Sequence, residues 1–576
     1  MKVCGIHPLG HDSCYVSIDT ENKEINAATL ERYSRKKHDA RYIGNLLDFD
    51  LEIPETEVGY ISNTSNSERD IELMDLFQNV YELERSLQKR FNMKKSIKRL
   101  YYKFLYSSIS KKGPGLNGKS QLQKTISTDF KIKTIHSIDH HLCHAASAFF
   151  TRPRDFSSQM IIFTLDGQGD GSSGKVFRAN DDRIVEISSN KATHSICFLF
   201  SIFTEVAGYA PNADEGKLEA LANFYTGGRP ELLEILDRAI KVESGNITMS
   251  PTIDWPFNDV MKQRRKIKKR LKEELQKTSK EEFSYVIQTI FEKKVSEWID
   301  HWTKSESQQI CLAGGGFANV KLNRILFEKC GHQLSIFPAM GDDGAAFGAA
   351  ILAANALKQD ITWLRDLREP YFGKNTENNL ELLKNLIVDR RLNYLELTET
   401  EKQNYVIKAI TDGKIGAIYQ GKSEFGPRAL GHRSIIATSK DERVRQELND
   451  RFKRREWYQP FCPMVLDEDA DRIFVKSYPN QHMTCAFTVN EEHRNKIPAV
   501  VHVDNTARAQ IITQENPFWY NVLKGVKKID GYGVCLNTSF NLHGRAIVNS
   551  YEHALQDFMD CGIDYLILDN TLVLKR

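Results

Sequence analysis

The stretch MIIFTLDGQGDG, Met160–Gly171, decides the fold class of this chain. Its apolar first half is typical of a buried strand, and the strand ends abruptly in an acidic, glycine-rich turn. An earlier apolar run, Val3–Ile6, leads to a turn of similar character at Gly10-His11-Asp12-Ser13. A duplicated nucleotide-binding core would produce such a pair of turns, although two turns alone do not establish one.

Outward from these two turns, further apolar runs indicate strands that alternate with helices. Tyr15–Ile18 and Ile25–Leu30 look like neighbouring strands, and Gln309–Ala313 is another that runs into a glycine loop. The alanine-rich stretch Ala345–Leu357 predicts a helix. Lys414–Tyr419 then starts a second set of strands and helices that continues to the end of the chain. The fold class predicted from this order is α/β.

The length of 576 residues is too great for one hydrophobic core, so we predict two domains. A polar, charge-rich stretch around Pro370 predicts the boundary, which divides the chain into residues 1–365 and 366–576. Residues 64–118 have a charged, helical pattern and are predicted to be an insertion in the first domain. Their clustered Lys and Arg are more typical of a solvated helix face than of a polyanion site.

Composition and charge exclude several classes of protein. The net charge of +3 predicts no large nucleic-acid surface, and no apolar run is long enough to cross a bilayer. The N-terminus does not resemble a signal peptide. The ten cysteines include no C-x-x-C pair, which argues against a disulfide framework or a cysteine zinc site. We therefore expect a cytoplasmic protein with no nucleic-acid or membrane partner, and we leave a homodimer open.

Two histidines four residues apart give the sharpest local signal, in Asp139-His140-His141-Leu142-Cys143-His144-Ala145-Ala146. On a helix, His140 and His144 share one face and can bind one metal ion. Asp166 ends a strand, and Asp342 lies in a glycine-flanked turn before a helix. Two His and two carboxylates suit one divalent iron, manganese or zinc ion rather than calcium, and the sequence does not choose among the three.

Glycine loops predict a nucleotide site in the first domain. Gly314-Gly315-Gly316 follows a strand, and glycines there let the backbone approach phosphate closely. A lone run of three glycines can equally be a tight turn, and the Glu215/Lys217 pair can be a surface ion pair. The predicted nucleotide-binding residues are Gly167, Gly169, Glu215, Lys217, Gly314, Gly315, Gly316 and Asn319.

The second domain combines cations with rigid turns, most densely between Lys422 and Ser434. Guanidinium groups on turns at strand ends suit a small phosphorylated substrate, because each can grip phosphate with two hydrogen bonds. Any one of these arginines alone would be taken for a surface residue, and only the combination raises the expectation. Neutral donors follow a strand in Asn537-Thr538-Ser539-Phe540-Asn541.

Taken in order and spacing, these motifs resemble the nodulation and antibiotic carbamoyltransferases, the tobramycin type included. The match covers nearly the whole chain. It is carried by Gly10-His11-Asp12-Ser13, Glu31-Arg32, Arg35-Lys36-Lys37-His38, Asp139–His144, Glu215-Gly216-Lys217-Leu218, the loop at Gly314, Gly341-Asp342, Gly426-Pro427-Arg428-Ala429-Leu430-Gly431-His432-Arg433-Ser434 and Asn537–Asn541.

The resemblance implies an actin-like ATPase domain, of the tRNA threonylcarbamoyltransferase type, followed by a YrdC-like domain. It implies that the second domain forms carbamoyl adenylate from carbamoyl phosphate and ATP, and that the first transfers the carbamoyl group to a hydroxyl of a small natural-product acceptor. It also implies one divalent metal, with Fe(II) favoured over Mn or Zn and Mg²⁺ expected with ATP. The matching metal positions are His140, His144, Asp166 and Asp342, of which Asp166 is the least secure because Asp170 lies close by.

The same resemblance assigns roles in the donor pocket, whereas the roles predicted at the acceptor follow from the residues of the Gly10-His11-Asp12-Ser13 turn. Carbamoyl phosphate would be bound by Arg428, Arg455, Arg508, Asn537 and Ser539. Lys422 and Arg428 would act in catalysis. His11 would be the general base for the acceptor hydroxyl, because histidine titrates near neutral pH, and Asp12 would help to bind the acceptor. The alternative is that His11 only caps its turn or contacts phosphate.

Two departures from the family pattern lie in the second domain. The usual R-E-x-F-R-P-F run is Arg455-Glu456-Trp457-Tyr458-Gln459-Pro460-Phe461 here, so Gln459 replaces an arginine. A later G-E-P is Gly544-Arg545-Ala546. These changes are the only support for a non-catalytic nucleotide sensor. A tRNA threonylcarbamoyl-transfer protein is the other alternative, and near-neutral charge argues against it. Hydrogenase-maturation carbamoyltransferases also carry zinc fingers, which the missing C-x-x-C excludes.

Overall fold

A computed structural model of the protein describes residues 1–8, 12–39, 41–49, 51, 53–62, 123, 126–181, 183–252, 255–303, 308–367, 369–377 and 379–576. The predicted base His11 and the predicted insertion 64–118 lie outside these residues. The described chain is a mixed α/β structure, which confirms the predicted fold class at that level. Among the described helices, none is both long and apolar enough to cross a membrane.

The first sheet has five strands in the order β3-β2-β1-β4-β5. Strands β1, β2 and β3 are antiparallel neighbours, while β4 and β5 run parallel to β1. Their interior positions carry Val, Ile, Ala and Cys, which pack well on a pleated surface. The bounds are β1 Lys2–His7, β2 Cys14–Asp19, β3 Glu24–Thr29, β4 Thr56–Ser62 and β5 Ile132–Ile138.

The second sheet repeats the connectivity of the first, in the order β12-β11-β6-β7-β8. Strands β6, β7 and β8 are antiparallel neighbours, while β11 and β12 run parallel to β6. The duplicated order supports the duplication that the two glycine-rich turns suggested. The bounds are β6 Gln159–Gly169, β7 Ser172–Asn180, β8 Arg183–Lys191, β11 Gln309–Ala313 and β12 Gln333–Ile336, with a separate hairpin of β9 Ile240–Glu243 and β10 Asn246–Met249.

Sixteen α-helices occur among the described residues. They are α1 Leu30–Ser34, α2 His140–Phe150, α3 Ile196–Val206, α4 Glu215–Leu221, α5 Glu231–Ala239, α6 Arg264–Leu275, α7 Lys280–Trp302, α8 Val320–Arg324, α9 Asp342–Ala356, α10 Leu380–Asp389, α11 Glu399–Thr411, α12 Glu442–Glu447, α13 Asp467–Ile473, α14 Glu491–Arg494, α15 Pro517–Asp530 and α16 Tyr551–Asp560. Shorter 3₁₀ or π turns are Ile43–Phe49, Ala192–His194, Ala222–Phe224, Gly315–Ala318, Ile325–Lys329, Thr362–Leu364 and Leu448–Lys453.

Small residues let helix α9 pack closely against both helix α2 and the first sheet. A side chain at Gly348 would overlap the backbone carbonyl of Cys143 in α2, and one at Gly5 would overlap the carbonyl of Ala346. The predicted helix Ala345–Leu357 is therefore present, three residues longer at its start. This close approach brings the start of α9 beside the start of α2, where the predicted metal ligands lie.

The C-terminal part is built on one sheet of eight strands, in the order β13-β22-β21-β14-β15-β20-β16-β19. Asn537 lies on β20, the strand between β15 and β16. The bounds are β13 Asn393–Glu396, β14 Gly416–Tyr419, β15 Arg433–Thr438, β16 Cys462–Leu466, β19 Gln510–Ile512, β20 Val534–Ser539, β21 Tyr565–Leu568 and β22 Thr571–Leu574, with a separate pair of β17 Phe487–Thr488 and β18 Thr506–Ala507.

Arginines after strand β3 join the N-terminal sheet to the C-terminal part. Arg32 donates from Nη2 to the carbonyl of Gly426 at 2.9 Å, and Arg35 pairs with the buried Asp557 at 2.6 Å. Gly426 has a φ of 104°, and a side chain there would press on the backbone of Ala339. The Glu31-Arg32 motif is therefore in direct contact with the motif that begins at Gly426, although the two lie far apart in sequence.

Candidate metal centre and arginine pocket

The metal centre consists of His140 and His144 on one face of α2, Asp166 near the end of β6, and Asp342 at the start of α9. The strand therefore runs three residues beyond Asp166, which the sequence pattern had placed at its end. Their four donor atoms lie within 4.8 Å of one another. His140 Nε2 lies 3.7 Å from Asp166 Oδ2 and 3.4 Å from Asp342 Oδ1. His144 Nε2 lies 3.3 and 3.6 Å from the same two oxygens. The structure thus brings together all four residues that the sequence predicted as ligands.

The chemistry of these donors fits a divalent metal ion. Both rings are at most 1% exposed, and neither nitrogen of either ring has an aligned hydrogen-bond partner. Buried polar atoms without partners are costly, so such a group of four indicates a ligand that completes it. Separations of 3.3 to 3.7 Å are those that atoms bound to one ion at about 2.0–2.2 Å can adopt.

Charge also shapes this centre. Burial disfavours the charged forms of Asp166, Asp342 and His144. Their close neighbours nevertheless stabilise those charged forms more strongly than burial destabilises them. The neighbouring rings of His140 and His144 hold the pKa of Asp166 far below its usual range, and those of His7 and His140 do the same for Asp342. The two aspartates in turn raise the pKa of His144 to about 9. The centre therefore keeps both carboxylates ionised, as metal ligands must be.

An irregularity near the end of β6 separates Asp166, which faces the histidines, from Asp170, which makes a different contact. The register of β6 against β7 shifts between Leu165 and Gly169, and Asp170 has a φ of 47°. Asp170 Oδ2 accepts from the backbone N–H of His140 at 2.8 Å and so stabilises the start of α2. Gly169 lies against the His140 ring so closely that a side chain would overlap it. Gly169, predicted as a nucleotide residue, also leaves space for His140.

The other predicted nucleotide residues lie near the metal centre or on α4 and α8. Gly314 has a φ of 94°, which favours glycine, and Gly315 N lies 3.4 Å from Asp166 Oδ2.

Asn319 accepts from Leu322 N at 3.0 Å and so caps α8. Glu215 accepts from Ser201 Oγ, and Lys217 pairs with Asp214. Gly167 accepts from Ser195 Oγ at 2.8 Å through its carbonyl. Their nucleotide role stays a prediction.

The arginine pocket consists of Arg428, Arg455 and Arg508 around Cys462, the first residue of β16. Arg508 lies against the Cys462 thiol, 3.1 Å from Nε and 3.0 Å from Nη2. Burial and the nearby charge of Arg508 lower the pKa of Arg428, and burial with Arg508 also lowers that of Arg455. Three like charges in one partly buried place favour an anionic ligand. The structure brings together the three predicted arginines.

The side chain of Glu424 organises the backbone of the loop that carries Arg428. One carboxylate oxygen of Glu424 accepts from the N–H groups of Leu430, His432 and Arg433 at 2.8 to 3.0 Å. Asn537 on β20 donates to Ala429 O and to Gln510 Oε1, both at 3.0 Å. Its own Oδ1 is buried without an aligned partner. Asn537 therefore holds the loop over the sheet, and it lies opposite Cys462 in the pairing of β20 with β16.

Ser539 and Lys422 make contacts of their own. Ser539 Oγ donates to Asn541 Oδ1 at 2.6 Å, and the buried Lys453 donates to both Ser539 and Asn541. Lys422 Nζ lies 3.2 Å from Glu24 and 3.4 Å from Asn26, on strand β3 of the first sheet. The structure therefore places Lys422 at the contact between the two parts, and its catalytic role stays a prediction.

The two departures from the family pattern have different surroundings. Gln459 Oε1 is buried without an aligned partner, close in sequence to Arg455. Arg545 instead forms ion pairs with Asp557 at 2.5 Å and Asp560 at 2.8 Å. Asp557 also pairs with Arg35, so Arg545 belongs to the contact between the two parts.

Near the predicted acceptor side, Asp12 lies 3.9 Å from His38, and it also approaches Asp343. Burial first and the charge of Asp12 second raise the pKa of Asp343 to about 8. Sequence reasoning did not identify Asp343, since the neighbouring Asp342 accounted for the motif.

Three more neighbours of these sites were missed. His7 lies beside Asp342, Cys462 lies among the arginines, and Glu219 on α4 lies close enough for Arg508 and Arg428 to affect its pKa. Burial nonetheless raises the pKa of Glu219. The position of Cys462 directly after the Arg455–Phe461 motif was a usable signal, whereas His7 and Glu219 carry no motif.

Two family models match the chain, "Carbamoyltransferase N-terminus" over residues 2–351 and "Carbamoyltransferase C-terminus" over residues 407–575. An uncharacterized protein of Methanocaldococcus jannaschii is 36% identical over 100% of both chains. The nodulation protein NolNO of Sinorhizobium fredii is 30% identical over 79% of this chain and 66% of its own. The 3'-hydroxymethylcephem-O-carbamoyltransferase of Streptomyces clavuligerus is 28% identical over 76% of this chain and 80% of its own.

Proposed function

Because this chain belongs to the carbamoyltransferase family and is a transferase enzyme, we propose that it is an ATP-dependent O-carbamoyltransferase with a small hydroxylated acceptor. The observation that carries this proposal is the group of three guanidiniums at Arg428, Arg455 and Arg508. A pocket in which Arg508 lowers the pKa of the other two is stabilised when an anion neutralises them. Carbamoyl phosphate is small, doubly charged and planar at its carbamoyl end, and it suits such a pocket.

The proposed reaction has two steps that balance. In the first, carbamoyl phosphate, ATP and water give carbamoyl adenylate, phosphate and pyrophosphate. In the second, the acceptor oxygen forms a bond to the carbamoyl carbon, the bond from that carbon to the AMP oxygen breaks, and AMP leaves. The proton of the acceptor hydroxyl passes to a base. Carbamoyl adenylate is a labile mixed anhydride, so direct contact between the two parts of the chain favours its protection from water.

We assign the first step to the C-terminal part and the second to the N-terminal part. Support for an actin-like N-terminal domain comes from two sheets with the same strand order. Support for a boundary near residue 365 comes from the gap between the family models, which end at 351 and begin at 407. The proposal also includes a YrdC-like C-terminal domain, ATP with Mg²⁺ and a cytoplasmic location, and it leaves the oligomeric state open.

In the proposed second step, the metal centre would hold one divalent ion through His140, His144, Asp166 and Asp342, with Fe(II) favoured. A bound ion would supply Lewis acidity toward the phosphate or carbonyl of the intermediate. The chain's own residues keep the ligand carboxylates ionised and exclude water around the two rings.

We propose His11 as the base, with Asp12 on the acceptor side. A sugar or alkaloid hydroxyl is a weak nucleophile at neutral pH, and a histidine base is worth about two to four orders of magnitude in rate. His11→Asn should therefore lower carbamoyl transfer by about that factor, while metal content and pyrophosphate release stay normal. Near-normal transfer in this variant would remove His11 from the proton-accepting role.

A screen of hydroxylated acceptors with carbon-labelled carbamoyl phosphate tests the proposal. Aminoglycosides, modified sugars, macrolides and guanidine alkaloids should be included, because the sequence does not choose among them. We expect label in at least one acceptor, only when ATP is present, together with AMP and pyrophosphate. Label transfer that proceeds equally well without ATP would overturn the adenylate route.

A further inference from the structure

A third histidine lies beside the metal centre. His7 is the last residue of β1 and is fully buried. Its Nε2 lies 3.2 Å from Asp342 Oδ2, and its ring centroid lies 5.9 Å from that of His140. It is therefore a close neighbour of the ligands without sharing their helix or their turns.

The two oxygens of Asp342 face different partners. Oδ1 lies 3.4 Å from His140 Nε2 and 3.6 Å from His144 Nε2, on the side of the other ligand atoms. Oδ2 faces His7. A carboxylate that uses one oxygen toward a metal is normally held by a hydrogen bond to the other, since such contacts fix its orientation. His7 occupies the position from which that hydrogen bond would come.

The far side of the His7 ring is also held. Its Nδ1 lies 3.1 Å from the hydroxyl of Ser62, which is fully buried at the end of β4. Strands β1 and β4 are parallel, with Ile6 opposite Ile61, so His7 and Ser62 are the next pair at the carboxyl ends. Ligand sites in α/β sheets form at that edge. Parallel pairing thus fixes the ring in front of Asp342.

The Asp342 carboxylate favours one neutral tautomer of His7, because an ionised carboxylate can only accept a hydrogen bond. The Ser62 hydroxyl has one proton and two acceptors in reach, the Ile6 carbonyl at 3.3 Å and His7 Nδ1 at 3.1 Å, and it can turn from the first to the second when Nδ1 is unprotonated. His7 Nε2 then carries the ring proton and presents it to the Asp342 carboxylate, the arrangement that a neighbouring carboxylate favours. In this structure Nε2 has no aligned partner. The terminal torsion of an aspartate is soft, so a small rotation of Asp342 aligns the contact.

We propose that His7 is a positioning residue of the metal centre: it donates from Nε2 to Asp342 Oδ2 and directs Oδ1 toward the ligand position. Ser62, His7 and Asp342 form a chain of hydrogen bonds from the sheet edge to the ligand. The inference rests on the metal site of the proposed function and deepens it. It does not require His7 to bind the ion or to change its protonation state.

The test is a titration of the metal-stripped protein with Co²⁺, followed through its visible absorption. His7→Leu removes the donor, whereas the amide of His7→Gln can reach Asp342 in place of Nε2. We expect the Co²⁺ dissociation constant to rise about 10- to 100-fold in His7→Leu and to stay within about threefold of wild type in His7→Gln. Ser62→Ala should have a smaller effect in the same direction.

Controls separate positioning from folding. His332 is equally buried, at 1% exposed, and its Nε2 lies 3.9 Å from Asp300, outside the metal centre. His332→Leu should therefore leave Co²⁺ affinity unchanged. If His7→Leu does not fold, His7→Asn replaces it, since the shorter amide reaches Ser62 but not Asp342. At saturating Co²⁺ the absorption bands of His7→Gln should match those of wild type, because the four ligands remain.

Three outcomes would overturn the proposal. One is wild-type affinity in His7→Leu or His7→Asn. Another is equal loss in His7→Gln and His7→Leu, which would make the imidazole itself a ligand or a packing element. A third is altered bands in His7→Gln at saturation. If the wild-type protein takes up no Co²⁺, the metal site of the proposed function fails, which is a separate result from the failure of His7.

Discussion

The four donors of the metal centre attract one another, whereas the three guanidiniums of the arginine pocket repel one another. At the centre, His140 and His144 lower the pKa of Asp166, and the aspartates raise that of His144 to about 9. In the pocket, burial has the largest effect in lowering the pKa of Arg428 and Arg455, and the charge of Arg508 lowers both further. The centre is therefore held together before its ligand arrives, while the pocket is stabilised mainly by its ligand.

This contrast indicates how each site should respond to substitution. Removal of one metal-centre donor leaves the remaining buried groups without partners, so metal binding should fail as a unit. Removal of one guanidinium relieves repulsion in the free protein, so the protein should stay folded and lose only donor binding. The predictions below test this difference in order of decreasing effect.

The largest effect is expected for His144→Ala, and for the double variant with His140→Ala. Loss of bound metal removes several kcal/mol of transition-state stabilisation, so carbamoyl transfer should fall about 10³-fold or more. Pyrophosphate release that depends on carbamoyl phosphate should continue, since the arginine pocket is untouched. Elemental analysis and the two assays measure this. Full metal content in the double variant would end the assignment of the ligands.

A matched glycine pair tests the packing of the centre. A side chain at Gly169 would overlap the ring of His140, whereas nothing lies within 4 Å of the corresponding position at Gly167. Gly169→Ala should displace the ring and weaken metal affinity about 10- to 100-fold. Gly167→Ala should bind metal like wild type. Equal affinity in both variants would show that His140 can move without cost.

In the arginine pocket, Arg455→Ala should weaken the use of carbamoyl phosphate. The loss of one charge-assisted pair costs about 1.5–3 kcal/mol, which is about 10- to 150-fold in kcat/KM for carbamoyl phosphate. Metal content should not change. Arg451→Ala is a suitable control, because Arg451 is exposed and paired with Glu447. Unchanged kinetics in Arg455→Ala would place the phosphate elsewhere.

The smallest effect is expected for Gln459→Arg, which restores the residue that the family pattern has at this position. Added positive charge near Arg455 should be tolerated. It should lower the KM for carbamoyl phosphate, at most by the factor of about 10 to 150 that corresponds to one charge-assisted hydrogen bond. Steady-state kinetics and thermal unfolding measure this. A folded variant that no longer releases pyrophosphate would show that the pocket is organised around the glutamine amide.

Sequence reasoning singled out the four donors of the candidate metal centre because helix periodicity and strand-end turns place residues without knowledge of the fold. His140 and His144 had to share a face, and Asp342 had to lie at the start of α9. The choice between Asp166 and Asp170 depended on a register shift in β6, which no local pattern reports. His7 was missed for a similar reason, since only the pairing of β1 with β4 and the packing of α9 bring it to Asp342.

The arginine pocket was reached differently, through motif resemblance. Arg428, Arg455 and Arg508 come from three separate segments, and no periodicity joins them. Cys462 and Glu219 were not predicted, because a lone cysteine and a helical glutamate are ordinary in sequence. The α/β class followed from apolar runs and turns, whereas the repeated strand order was seen only in the structure. The contact between Arg35 and Asp557, 522 residues apart, depended on tertiary packing alone.

The most direct test of the account is a measurement of pyrophosphate released from ATP in the presence of carbamoyl phosphate, without any acceptor. It compares wild type, His144→Ala and Arg428→Ala in a single turnover. We expect about one equivalent of pyrophosphate from wild type and from His144→Ala, and a strong decrease in Arg428→Ala. Loss of release in His144→Ala with release retained in Arg428→Ala would contradict the assignment of adenylate formation to the arginine pocket.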